Sequence, residues 1–165
     1  MVIKYYTDGA CTLTNNNGVY SKGPGGWAYA RIQDEKVATW SSGGSKKTTN
    51  NEQELTAIME ALIDAERVSL PGDEIEIYSD SAYSINIYTQ WIKSWEKNGW
   101  TRGKKHEPIE NLFIIRDTYD LIKQFEEQFI KVTFIKVKGH STDEFNQYVD
   151  ARAVEMKIKM SQANA

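Results

Sequence analysis

The sequence predicts an α/β protein, a mixed β-sheet with helices on its faces. Three strand patterns open the chain before any helix, which calls for antiparallel pairing. Helix and strand patterns then alternate, which calls for parallel pairing and helical layers. A third observation concerns the strand ends. Two runs, YYTDGACT (5–12) and IEIYSDSA (75–82), pass from a buried-looking strand straight to an aspartate.

The elements follow in order. Residues 2–7 (VIKYYT) are rich in β-formers and read as a strand. The Asn- and Gly-dense stretch 13–26 reads as a loop. Residues 27–33 and 36–42 are two strands joined by Asp34-Glu35, a hairpin without the favoured Asn-Gly turn. A loop through 43–51 ends in good N-cap residues. Over 52–67, Leu55, Ile58, Met59, Leu62 and Ile63 recur at helical spacing, marking an amphipathic helix. After a turn at 70–74, residues 74–79 alternate cleanly as a strand. Residues 81–100 read as one or two helices stopped near Gly99, and 101–108 as a loop. A long helix over 108–129, a strand over 131–137 and a helix over 143–160 complete the order β-β-β-α-β-α-α-β-α. Sheets of this kind bind ligands beyond their strand ends.

Composition bounds the function. The 165 residues are 40% hydrophobic and 26% charged, with net charge −3. A chain near ~150 residues buries ~70% of its unfolded surface, enough for a proper core. Nothing in the overall charge announces nucleic acid. One cysteine and two histidines exclude a disulfide framework and a structural zinc site. No apolar run is long enough to span a membrane. The N-terminus enters a strand at once, without a leader pattern, so a cytoplasmic protein is expected. A single domain over 1–160 with a flexible tail at 161–165 is expected, with monomer as the default.

Four acids stand out. If the strands ending at Asp8 and Asp80 are parallel neighbours, about 4.8 Å apart, both carboxylates leave the same sheet edge. Like charges that close force one to hold a proton unless a cation lies between them. Glu54 lies in the first turns of the amphipathic helix beside Leu55, and Asp150 lies in the last helix. Carboxylate clusters suit hard cations such as Mg²⁺. Taken singly, each acid has a plainer role. Asp8 and Asp80 suit turns or caps, Glu54 a capping box, and Asp150 an exposed helix face.

The combination YTDGA, TTNNEQEL, YSDSAY and VKGH, with an Asp ten residues after the histidine, resembles ribonuclease H of type 1 across nearly the whole chain. The segment QWIKSWEKNGW resembles the basic protrusion of the bacterial and animal enzymes. The resemblance implies the RNase H-like fold, a five-stranded mixed sheet ordered 3-2-1-4-5 with helices on both faces. It implies cleavage of the RNA strand of an RNA/DNA hybrid by two Mg²⁺ or Mn²⁺ ions, leaving a 3′-hydroxyl and a 5′-phosphate. Asp8, Glu54, Asp80 and Asp150 match the metal-binding carboxylates, and His140 the mobile histidine that assists proton transfer or product release. Gly9, Asn50 and Asn51 match contacts to the RNA strand, where the 2′-hydroxyl discriminates RNA from DNA. The asparagines could equally cap the following helix. Lys47, Thr49 and Asn111 match a phosphate pocket for the DNA strand. Tyr83 and Trp95 match an aromatic channel against deoxyribose, with core packing the plain alternative for Trp95.

Residues 91–106 hold Lys93, Lys97, Arg102, Lys104 and Lys105 against Glu96 alone, with three tryptophans interleaved. That excess suits a phosphate backbone, and binding through it should weaken with salt. Such contacts position a duplex without reading bases, so little sequence specificity is expected.

The chain departs from the family pattern in three places. The loop after the first Asp is longer, leaving its RNA-touching residue open among Thr14, Asn15, Asn16 and Asn17. Thr142 stands where a glycine is common, and Arg152 where a leucine is common. No hybrid-binding domain is expected before the catalytic one, so processivity should rest on the protrusion alone. A non-catalytic nucleic-acid module would be favoured by a missing acid, and none is missing. An integrase- or resolvase-type nuclease is disfavoured by the asparagine pair and the tryptophan-rich basic segment. No P-loop is present, since Asn98 stands where its first glycine should be.

Overall fold

A computed structural model describes residues 1–12, 14–16, 19–139 and 142–163. Its main sheet has five strands: β1 (Val2–Cys11), β4 (Gly23–Gln33), β5 (Lys36–Thr48), β6 (Glu74–Ser79) and β7 (Lys131–Lys136). Their order, β5-β4-β1-β6-β7, is the expected 3-2-1-4-5 arrangement. β1 pairs antiparallel with β4 and parallel with β6, and β6 pairs parallel with β7. A small hairpin, β2 (Thr14–Asn16) with β3 (Val19–Ser21), occupies part of the stretch expected as a loop. The β4–β5 turn has Asp34 and Glu35 both at positive φ, the left-handed pair that a two-residue hairpin of matching twist requires.

The helices are α1 (Asn50–Val68), α2 (Ala82–Asn86), α3 (Ile92–Lys97), α4 (Leu112–Glu127) and α5 (Glu144–Ala163). α4 starts four residues later than its periodicity predicts, because Asn111 adopts a left-handed conformation just before it. α5 runs to Ala163, past the expected end of the domain at 160.

Period-two alternation on β1 divides the core. Ile3 and Tyr5 join Ile58, Leu62, Ile75, Ile77 and Phe125 on the α1 and α4 side. Tyr6 joins Ala28, Ala30, Val149 and Ala153 on the α5 side. A third cluster, Leu55, Ile87, Ile92, Ile109 and Ile115, seats α2 and α3 against α1 and α4.

A charge lies within the first of these clusters. Asp64 of α1 is 2% exposed. It accepts hydrogen bonds from Tyr5 Oη at 2.6 Å, Arg31 Nη1 at 2.8 Å and Arg67 Nη2 at 2.6 Å. Burial, then Asp64, pushes the Tyr5 phenol well above its ordinary value, so it stays a donor. Asp64→Ala strands the Arg31 charge and the Tyr5 hydroxyl, and is expected to lower stability by roughly 3–5 kcal/mol. Urea unfolding with an unchanged m-value measures this.

Candidate active site

β1 does not end at Asp8 as its sequence suggests. It continues to Cys11 because β4 pairs with it that far, Cys11 opposite Gly25. What ends near Asp8 is the other partner. The β1–β6 ladder closes at Thr7 opposite Ser79, so Asp8 and Asp80 are the first residues beyond it. The sheet opens between them, and the opening holds charge.

Glu54 enters this opening from α1. Thr49 caps that helix, its hydroxyl accepting the Glu52 N–H at 3.1 Å. The cap therefore belongs to Thr49, and Asn50 and Asn51 form the first turn. α1 comes close to β1 because Gly9 has no side chain. A Cβ there would lie 2.6 Å from the Gln53 carbonyl carbon and closer still to the Glu54 backbone nitrogen.

The result is a carboxylate triad. One oxygen each from Asp8, Glu54 and Asp80 lie within 4.8 Å of one another. Asp8 is 3% exposed and Glu54 4%, whereas Asp80 is half-buried. Burial pushes the Asp8 carboxyl far above its ordinary value, and the charges of Glu54 and Asp80 push it further. Glu54 is raised by burial and then by Asp80. Asp80 is raised by burial, against the opposing charge of Lys136. Asp150 lies exposed on α5, and its nearness also raises the other three. Glu54 Oε2 is buried without a hydrogen-bond partner among the described residues. A ring of hard oxygen donors in which like charges are forced together, one oxygen unpaired, fits a divalent cation. His140 lies outside the described residues, as does Asn17.

A second group forms beside α2 and α3. Tyr83, Trp91 and Trp95 line a cavity of about 420 Å³ together with Arg102, Ile109 and Glu110. The Trp91 and Trp95 rings are 5.9 Å apart, and Asn111 Nδ2 donates to Tyr83 Oη at 3.5 Å. Trp95 is thus both half-buried against the third core cluster and a cavity wall. Lys47 is exposed at the end of β5, before Thr48 and the cap. Lys93, Lys97, Lys104 and Lys105 are exposed, and Arg102 pairs loosely with Glu107 at 3.5 Å.

Periodicity alone did not foresee how these aromatics meet. Between α2 and α3 lies a π-helical turn, Ile87–Trp91, in which the Ile92 N–H reaches back five residues to the Ile87 carbonyl. In an unbroken α-helix Trp91 and Trp95 would sit ~80° and ~120° around the axis from Tyr83. The wider turn absorbs one residue and returns both to within ~20° of it. The same turn lets Ile87 and Ile92, five apart, both bury in one cluster.

Comparison with known proteins agrees with this architecture. The RNase H family profile matches residues 2–157. The ribonuclease H of Caldanaerobacter subterraneus subsp. tengcongensis is 35% identical over 164 residues, covering 99% of this chain and 95% of that protein. Among solved structures, the N-terminal RNase H domain of a Mycobacterium tuberculosis protein superposes with TM-score 0.69 at 19% identity, covering 99% of both chains. LC11-RNase H1, solved in complex with an RNA/DNA hybrid, gives TM-score 0.61 at 21% identity, covering 95% of this chain and 97% of its own. With its sheet order, its carboxylate triad and its matching sequence in agreement, the chain belongs to the RNase H family.

Proposed function

We propose that the chain is an endoribonuclease that hydrolyses the RNA strand of RNA/DNA hybrids. It leaves 3′-hydroxyl and 5′-phosphate ends with little sequence specificity. The observation that carries this reading is the triad itself, three carboxylates from three separate elements within 4.8 Å in a chain of this family. Asp8, Glu54 and Asp80, joined by Asp150 from α5, would hold two Mg²⁺ ions, with Mn²⁺ as a substitute. Ions bound there activate water and stabilise the leaving oxygen of an in-line phosphoryl displacement.

The chain's own groups do the rest. The buried carboxylates concentrate negative charge where a cation and a phosphate must meet. Gly9, Asn50 and Asn51 face the RNA strand, the asparagines offering both donors and acceptors to its 2′-hydroxyls. Lys47, Thr49 and Asn111 take a DNA phosphate, and Tyr83 and Trp95 take the adjoining deoxyribose. Lys93, Lys97, Arg102, Lys104 and Lys105 hold the duplex by its backbone, so affinity falls with salt. His140 assists proton transfer at the reacting oxygen or product release. His140→Ala is expected to slow turnover on the order of ten- to a hundredfold without abolishing it. Single-turnover cleavage reads this, and complete loss with the fold intact would give His140 a larger role.

Among the described residues no helix is long and apolar enough to cross a membrane. A monomer in the reducing cytoplasm completes the reading, and the single cysteine supports that setting.

The test is cleavage of four labelled duplexes of one sequence: RNA/DNA, RNA/RNA, DNA/DNA, and DNA with one ribonucleotide. Each is run with Mg²⁺, Mn²⁺ and EDTA. Metal-dependent cutting confined to the RNA strand of RNA/DNA is the expected result. Tight, salt-sensitive binding with no cutting under any metal would make the protein a binding module instead.

A further inference from the structure

Gln53 is the least expected residue in the core. It stands on α1 between the asparagine pair and Glu54, yet it is only 3% exposed. Its Nε2 donates to Thr48 Oγ1 at 3.0 Å, and its Oε1 is buried with no partner among the described residues. An apolar side chain of the same length would fill the niche without an orphaned acceptor. A buried polar group kept at a cost to stability needs a second reason for being there.

Its position supplies one. Thr48 is the last residue of β5, Thr49 caps α1, and Asn50 and Asn51 follow at once. The Gln53 N–H donates to the Thr49 carbonyl at 3.1 Å while its side chain holds Thr48. Two consecutive residues are thus pinned from one point on the helix. Across the gap, a Cβ on Gly9 would meet the Gln53 Cβ at 3.0 Å, and one on Gly25 would meet the Gln53 Cγ at 3.2 Å. Gln53 therefore bridges β1, β4 and the β5–α1 junction, the segments that carry Gly9 and the run from Lys47 to Asn51.

We propose that Gln53 is a positioning residue for RNA-strand recognition: its buried amide fixes the Thr48–Asn51 turn so that Asn50 and Asn51 meet the 2′-hydroxyls. This rests on the endoribonuclease reading above. Gln53 touches no substrate and acts through Thr48. Its removal should loosen substrate binding while relieving the fold of an unpaired polar atom.

The test compares Gln53→Met, which keeps length and drops both polar ends, with Thr48→Val, which removes the partner, and with the double variant. Thermal melts and hybrid cleavage kinetics are measured for each with Mg²⁺. Gln53→Met is expected to keep or raise Tm, to raise KM for the RNA/DNA hybrid roughly three- to tenfold and to change kcat by less than about twofold. Competition with a DNA/DNA duplex should show a reduced preference for the hybrid. Thr48→Val should raise KM similarly, and the double variant no further, because both remove one interaction. A KM unchanged in both single variants overturns the proposal, whatever happens to Tm. Additive KM effects overturn it as well. A wild-type chain that leaves the hybrid uncut would instead fail the reading on which it rests.

Discussion

Asp8→Asn is expected to abolish hybrid cleavage and, without divalent cations, to stabilise the fold. The first effect follows from its place between the other two acids. An amide keeps the shape but is a poorer ligand for a hard cation. Loss of several kcal/mol of transition-state stabilisation corresponds to a fall on the order of a thousandfold or more in kcat. Hybrid binding should survive, since the basic segment and the aromatic cavity are untouched.

The second effect follows from burial. The folded protein holds the Asp8 carboxyl above its ordinary 3.8, through desolvation and then through Glu54 and Asp80. A raised carboxyl binds more protons folded than unfolded, so it withdraws stability as pH climbs past the unfolded value. The neutral amide of the variant carries no such penalty. Its stability advantage should be absent near pH 3 and should widen toward neutrality, reaching on the order of 1–3 kcal/mol. At about 2–4 °C in Tm per kcal/mol, melts in EDTA resolve this readily. Added Mg²⁺ should raise the Tm of the wild type and barely move the variant. Undiminished turnover in Mg²⁺ by Asp8→Asn would sink the metal assignment. A variant melting below the wild type at pH 7 in EDTA would sink the electrostatic one.

Gly9→Ala is expected to damage stability and activity together. The added Cβ meets the backbone of Gln53 and Glu54, which cannot rotate away as a side chain could. The N-terminal turn of α1 must move off β1. Overpacking of this kind typically costs roughly 1–3 kcal/mol, and backbone contacts lie at the upper end. Glu54 moves with the helix, away from Asp8 and Asp80. A displacement near 1 Å in such a site lowers rate on the order of a hundredfold. Urea unfolding reads the first effect. A Mg²⁺ titration of cleavage reads the second, and its midpoint should rise. A variant as active as the wild type at low Mg²⁺ would mean that the triad tolerates movement of α1.

Several features were legible because they are local or periodic. The 3.6-residue spacing of Leu55, Ile58 and Leu62 marks α1, and all three are fully buried. Alternation marks β6, where Ile75, Ile77 and Ser79 are the buried set. The features that depart from the pattern along the chain depend on partners distant in sequence. β1 reads as ending at the Asp8 charge, but the strand persists because β4 supplies hydrogen bonds to Cys11. β4 and β5 run through glycines that read as loop, because Gly26 and Gly44 must stay bare where α5 packs on the sheet.

By itself the sequence determined the α/β class, the sheet order through its resemblance to a known family, and the choice of Asp8, Glu54 and Asp80, the three acids the fold brings within 4.8 Å. It did so because hydrophobic period, turn residues and motif spacing are written along one dimension. Tertiary structure alone decided that Asp8 and Asp80 sit just beyond the last β1–β6 pair, with Glu54 brought to them over Gly9. It also decided that Tyr83, Trp91 and Trp95 share one wall through a π-turn. It decided, too, that Gln53 and Asp64 are buried polar groups with very different satisfaction. Among the described residues the Asp64 side chain meets three donors and the Gln53 side chain one acceptor. Such outcomes turn on distances between segments far apart in the chain, set by how closely packed layers can approach, and no pattern along the chain encodes them.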